Sequence, residues 1–168
     1  RAPRFRINHD VTVLGDVRVS WQRNLTTLEI GDTQQITFDI GGDFILNDGN
    51  EGQAARVLVK NDNLSGFEHT IRVRGNIDFN VDLPATSVFD LYNGTGTNNN
   101  AILELSGSGD FSYTNNASAA FTPELYRVIM NAGTDTTNTF TFSDNFILSG
   151  ANTSSPQAVE LQNGKLIL

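Results

Sequence analysis

The sequence predicts an all-β chain wound as a right-handed parallel β-helix of about five coils, each made of three short strands. Three observations carry that prediction: a composition that disfavours helices, an internal repeat near 34 residues, and period-two alternation on both sides of a recurrent bend. The chain has 168 residues, 38% of them hydrophobic and 18% charged. It is poor in Ala, Lys and Glu and rich in Asn, Thr, Ser, Gly and Phe, a bias towards strands joined by turns. Its length suits one unit, residues 1–168, with enough chain to bury a core.

The repeat centres on a tripeptide: Gly or Asp, then Asp or Asn, then an apolar residue. Its copies are Gly15-Asp16-Val17, Gly42-Asp43-Phe44, Gly75-Asn76-Ile77, Gly109-Asp110-Phe111 and Asp144-Asn145-Phe146. They stand 27, 33, 34 and 35 residues apart. Two residues past each apolar member come Val19, Leu46, Phe79, Tyr113 and Leu148. Before the copies stand Val11/Val13, Phe38/Ile40, Ile71/Val73, Leu103/Leu105 and Phe140/Phe142, the fourth aligned by allowing the insertion Ser106-Gly107. All twenty positions are apolar or aromatic against 38% for the chain, which makes chance a poor explanation. Each unit reads as strand, bend, strand, with one buried face.

A weaker third element lies between these units. It ends in an apolar residue, a spacer, and Asn or Asp: Ile30-Gly31-Asp32, Val59-Lys60-Asn61, Leu91-Tyr92-Asn93, Ile129-Met130-Asn131 and Leu161-Gln162-Asn163. Pro84, Pro123 and Pro156 precede the last three and mark the turn before the strand, since proline cannot donate to a ladder. Strands this short cannot bury a face alone, so successive units stack as coils with like residues aligned. Val17, Phe44, Ile77, Phe111 and Phe146 are expected as one interior column. Asn61, Asn93, Asn131 and Asn163 are expected as a structural asparagine stack in the turns. An antiparallel sandwich is the alternative, but it gives no reason for an apolar-bend-apolar unit to recur at this period.

The segments Asn145-Phe146-Ile147-Leu148-Ser149-Gly150-Ala151-Asn152-Thr153 and Val159-Glu160-Leu161-Gln162-Asn163-Gly164-Lys165-Leu166-Ile167-Leu168 resemble secreted bacterial β-solenoid repeats. Autotransporter passengers and the large repetitive surface proteins of gliding Gram-negative bacteria share this flavour. The resemblance implies an extracellular or cell-surface location and frequent roles in adhesion or matrix contact. It implies no catalytic residues and no cofactor.

Composition excludes several classes. There is no cysteine, so disulfides, thiol catalysis and cysteine-based metal sites are ruled out. A net charge of −8 argues against nucleic acid, and no apolar run is long enough for a membrane-spanning helix. The outward column Thr12, Asp39, Arg72, Glu104, Thr141 reads in two ways. It is either a polysaccharide-lyase-like cluster of Asp39, Arg72 and Glu104, or an alternating-sign ladder that supports neighbouring strands. The ladder is preferred. His9 and His69 fall in expected loops near strand starts and read as structural or solvated, since no ligand spacing accompanies them. Asn47-Asp48-Gly49-Asn50-Glu51-Gly52 could be a calcium loop but lacks EF-hand spacing and reads as a turn. The broken outer column argues against ice binding, and neither a nucleophile elbow nor a phosphate loop is present. Sequons stand at Asn24, Asn63, Asn93, Asn116 and Asn152.

The function expected is a non-catalytic structural or adhesive segment of a longer exported protein, with no metal or cofactor. A carbohydrate-active β-helix enzyme and a phage or viral fibre segment are the alternatives. The apolar-x-apolar strand Leu166-Ile167-Leu168, with no cap after it, is expected to pack on more of the same polypeptide or another partner. Surface glycans or matrix are the other expected partners.

Overall fold

The computed structural model describes residues 3–20, 26–47, 54–81, 87–116, 121–133, 136–143, 145–150 and 158–168. They form strands only, and the chain lays them down in threes. The first coil contributes β1 (Arg4–Ile7), β2 (Val11–Val13) and β3 (Val17–Ser20). The second has β4 (Thr26–Ile30), β5 (Thr37–Ile40) and β6 (Phe44–Asn47), and the third β7 (Ala55–Val59), β8 (Glu68–Val73) and β9 (Ile77–Asn80). Then come β10 (Val88–Asp90), β11 (Asn100–Ser106) and β12 (Phe111–Asn115), followed by β13 (Glu124–Leu125), β14 (Arg127–Asn131) and β15 (Thr139–Phe142). The last three are β16 (Ile147–Leu148), β17 (Val159–Asn163) and β18 (Lys165–Ile167).

Each coil gives one strand to each of three six-stranded parallel sheets. Sheet A runs β1-β4-β7-β10-β13-β16, sheet B β2-β5-β8-β11-β14-β17 and sheet C β3-β6-β9-β12-β15-β18. The chain is a parallel β-solenoid of three sheets, each six strands deep among the described residues, in keeping with the expected count of about five coils.

The first four copies of the tripeptide form the corner between sheets B and C, whereas the fifth stands between β15 of sheet C and β16 of sheet A; the chemistry of the B–C corner is a ladder. Asp16 Oδ1 accepts the Asp43 amide at 2.9 Å, Asp43 Oδ1 accepts the Asn76 amide at 2.7 Å, and Asn76 Oδ1 accepts the Ser112 amide at 2.9 Å. Each side chain thus satisfies a backbone donor on the next rung that the bend would otherwise leave unpaired. Glycine precedes it because the rungs approach too closely for a side chain: a Cβ on Gly75 would lie 2.8 Å from the Gly42 carbonyl group.

Inside, the three sheets enclose one apolar core. Phe44, Leu46, Ile77, Phe79, Tyr113 and Phe140 are all but inaccessible to solvent. Phe89 reaches across from sheet A to Phe44 and Phe79, with ring centroids 5.7 and 4.8 Å away. Burying such a side chain contributes about 1.5–3 kcal/mol, so each rung carries several anchors.

The expected interior column holds for Val17, Phe44 and Ile77, which are register partners, and then departs. Ile77 pairs with Tyr113, while Phe111 pairs with Phe140 and Phe140 with Leu166. Phe146 lies just before β16, its ring against Tyr113 and Phe142. In coil four the B–C corner spans residues 107–110 against 74–76 in coil three, which leaves Tyr113 and not Phe111 opposite Ile77. In coil five the slip is a whole strand: β15, with Phe140 and Phe142, belongs to sheet C, and Val128 and Met130 of β14 take the places beside Leu103 and Leu105. The physical reason is the corner between sheets A and B. It spans residues 31–36, 60–67 and 91–99 in coils two to four but only Tyr126 in coil five. A fixed period of 33–35 residues therefore overshoots into the next sheet.

The asparagine column splits for the same reason. Asn61 and Asn93 sit at the corner between sheets A and B, whereas Asn131 and Asn163 end the sheet B strands β14 and β17. Within each group the amides do bond between rungs. Asn93 donates to Val59 O on the preceding rung at 3.1 Å and to Asn99 O within its own coil at 2.8 Å, and Asn163 donates to Asn131 Oδ1 at 3.4 Å. Pro123 immediately precedes β13 as expected, while Pro84, Pro156 and Asp144 lie outside the described residues.

Candidate functional site

Outward side chains of sheet B form a charged face. The register row is Thr12, Asp39, Arg72, Glu104, Ile129, Glu160, so Ile129 and Glu160 continue the column expected to reach Thr141. Thr141 instead stands in sheet C beside Ser112 and Ile167. Arg72 donates to Glu104 at 3.0 Å, which raises the guanidinium pKa above its ordinary value. Arg74, one pleat further along β8's exit, forks onto Asp39 at 3.2 and 2.8 Å. At the other edge Arg127 lies between Glu68 and Glu160, 3.5 and 3.6 Å away, and the Tyr126 hydroxyl donates to Glu68. Asp39, Arg72 and Glu104 are thus neighbours, but each is engaged by an opposite charge. Sequence reasoning missed Arg74, although residues two apart on a strand share a face.

Sheet A has two different outward features. At its start, Glu29 is buried under Arg4 and Arg6, with nitrogen–oxygen distances of 3.2 and 2.8 Å, and Arg6 also reaches Asp32 at 3.1 Å. Farther along, Asp90 and Glu124 are direct register partners on β10 and β13. Both line an open cleft of about 160 Å³ with Ser87, Val88, Phe89, Phe121 and Thr122. Burial pushes the Asp90 carboxyl above the ordinary range, the Tyr92 amide donating to it at 2.9 Å pulls the other way, and nearby Glu124 adds to the rise. Glu124 accepts the Ser149 hydroxyl at 2.7 Å. Next to the acids, Tyr92 and Tyr126 stack with centroids 6.1 Å apart and planes 9° from parallel. A carboxyl raised by burial with a second carboxyl on the neighbouring strand is a pair of residue types that general acid–base chemistry uses. A signal for this pair was present: Asp90-Leu91-Tyr92 and Glu124-Leu125-Tyr126 are the same acid-Leu-Tyr unit one coil apart.

His9 is exposed in the loop after β1, with Gln34 Nε2 2.8 Å from its Nδ1. His69 lies within β8, not in a loop, and is fully buried. Among the described residues no three His, Asp or Glu side chains converge as a metal site, and no helix is long and apolar enough to cross a membrane. The candidate calcium run lies outside the described residues from Asp48 to Gly52. Of the sequon asparagines, Asn24 and Asn152 also lie outside them, Asn63 and Asn116 are exposed, and Asn93 is held by its amide bonds. Comparison with protein-family models, curated proteins and solved structures finds no match to this chain.

Proposed function

We propose that this solenoid is a rigid structural and adhesive segment of a larger secreted or cell-surface bacterial protein, without a reaction of its own. The observation that carries this reading is the mutual pairing of the outward charges. Arg72 with Glu104, Arg74 with Asp39, and Arg127 between Glu68 and Glu160 turn the face of sheet B into a cross-braced wall. Such a wall holds adjacent coils in register and presents a flat polar surface for weak, repeated contacts with glycans or matrix. Large apolar side chains at the last rung support a further partner: Leu161, Ile167 and Leu168 are 45, 49 and 90% exposed. In this reading further coils of the same polypeptide cover them, because the unpaired edges of β16, β17 and β18 offer a template for more parallel strands.

A second reading, a carbohydrate-active enzyme, is favoured by one observation, the Asp90–Glu124 pair in its cleft beside stacked tyrosines. One experiment separates the two. Beads carrying the chain are applied to polysaccharide- and matrix-coated surfaces while released sugar ends are assayed. The structural reading expects retention without turnover. Turnover abolished by Asp90→Asn or Glu124→Gln would replace it with the enzymatic one, and absence of retention would remove the adhesive role.

A further inference from the structure

We propose that His69 is an acid-sensitive latch that closes the corner between sheets A and B across the second and third coils. The imidazole sits on the inward side of β8, 0% exposed, beside Ala101 on the next strand. Its Nδ1 accepts the buried Ile36 amide at 3.3 Å, the donor that introduces β5. A ring nitrogen that accepts carries no proton, so this geometry requires the neutral imidazole with its hydrogen on Nε2. Among the described residues Nε2 has no hydrogen-bond partner, and the ring tip presses on Gly31. A Cβ at Gly31 would meet Cε1 and Nε2 at 2.2 Å, and its φ of +66° also favours glycine. The ring therefore fills the corner and caps a strand amide on the rung above.

Protonation would set an N–H against the Ile36 N–H and place a charge in a closed apolar space. The charged groups on the surrounding elements are engaged away from the ring, apart from the buried Oδ1 of Asp32, which has no hydrogen-bond partner among the described residues. Asp32, next to Gly31, is held by Arg6; Lys60 and Asp62 pair with each other. Glu68 on β8 is turned to Tyr126 and Arg127, Asp39 on β5 to Arg74, and Glu104 on β11 to Arg72. None of these makes a hydrogen bond to the imidazole among the described residues. Burial accordingly pulls the His69 pKa down from 6.5 to about 4.

The sign follows from linkage. Below pH 6.5 the unfolded chain takes up a proton at His69 that the folded one refuses, so the latch is fully effective above 6.5 and weakens as pH falls towards 4. The solenoid is thus closed at neutral pH and loosens first at this corner in an acidic medium.

The test compares thermal unfolding of the wild-type chain and His69→Gln at pH 7, 5.5 and 4.5, so that titrating carboxylates common to both cancel. The wild type is expected to lose about 3 °C more per pH unit than the variant between pH 6.5 and 4.5, the effect of one extra proton bound on unfolding. Should His69→Gln fail to fold, the His69 Cε1–H resonance of the wild type, separated from that of His9 by a His9→Gln control, supplies the answer. A midpoint near 4 with accelerated exchange of the Ile36 amide supports the latch. A midpoint of 6 or higher, or equal pH dependence in the two chains, overturns it.

Discussion

At the corner between sheets B and C a single oxygen atom per rung decides whether the next amide is satisfied. Asp16 and Asp43 do this with a carboxylate and Asn76 with an amide, and the geometry barely changes, 2.9, 2.7 and 2.9 Å. What the position requires is an acceptor of this length, not a charge. Asp43→Asn should therefore leave stability within about 0.5 kcal/mol, while Asp43→Ala strands the half-buried Asn76 amide and should cost about 1–2 kcal/mol. Denaturant midpoints of the two variants check this, and an Asn variant as damaging as the Ala one would refute the ladder. His69 is the opposite case. Its phase with Ile71 and Val73 places it on the inward face of β8, but its role as an acceptor is not written in its neighbourhood, because its partner is an amide 33 residues away and the room it occupies comes from Gly31.

Strands, bends and their alternation could be read from the sequence because they depend on contacts two residues apart. The phase of the repeat could not, because it depends on how long each corner is, and a corner loop can vanish without disturbing the core. Coil five loses almost the whole corner between sheets A and B, yet Leu125, Val128 and Met130 remain buried. The matching acid-Leu-Tyr units at Asp90 and Glu124 carry the correct phase, and weighting them over the Asn endings aligns β10 with β13. With that phase Phe111 faces Phe140, their rings 5.0 Å apart and nearly parallel. Phe111→Ala should cost about 3–5 kcal/mol as a buried aromatic. A double-mutant cycle with Phe140→Ala should return a coupling of about 0.5–1.5 kcal/mol. Additivity within error would mean that the two rings do not meet and that the strand assignment fails.

For the whole molecule, one-dimensional stacking sets how stability is distributed. Every strand from β4 to β15 is paired on both sides, whereas β1–β3 and β16–β18 are paired on one. Six rungs about 4.8 Å apart make a rod on the order of 24 Å long, so no rung is far from an end. Among the described residues, seven of the eight exposed large hydrophobics belong to the two end coils: Phe5, Val11 and Leu14 at one, Ile147, Leu161, Ile167 and Leu168 at the other. A rung contacts only its neighbours, and its opening free energy is close to the sum of its own terms and two interfaces. An end rung lacks one interface and should open without its neighbours. Amide exchange should accordingly be slowest in β8 and β11 and quicken towards β1–β3 and β16–β18. Phe79→Ala, which removes a ring touching Phe89, Tyr113 and Phe121, should lower protection in the central coils that those rings join and little in β1–β3 or β16–β18. Val19→Ala in the first coil should lower it there and little beyond β6. Uniform protection along the rod, or a Val19→Ala effect reaching β11, would show that the chain unfolds as one cooperative unit and not as a stack.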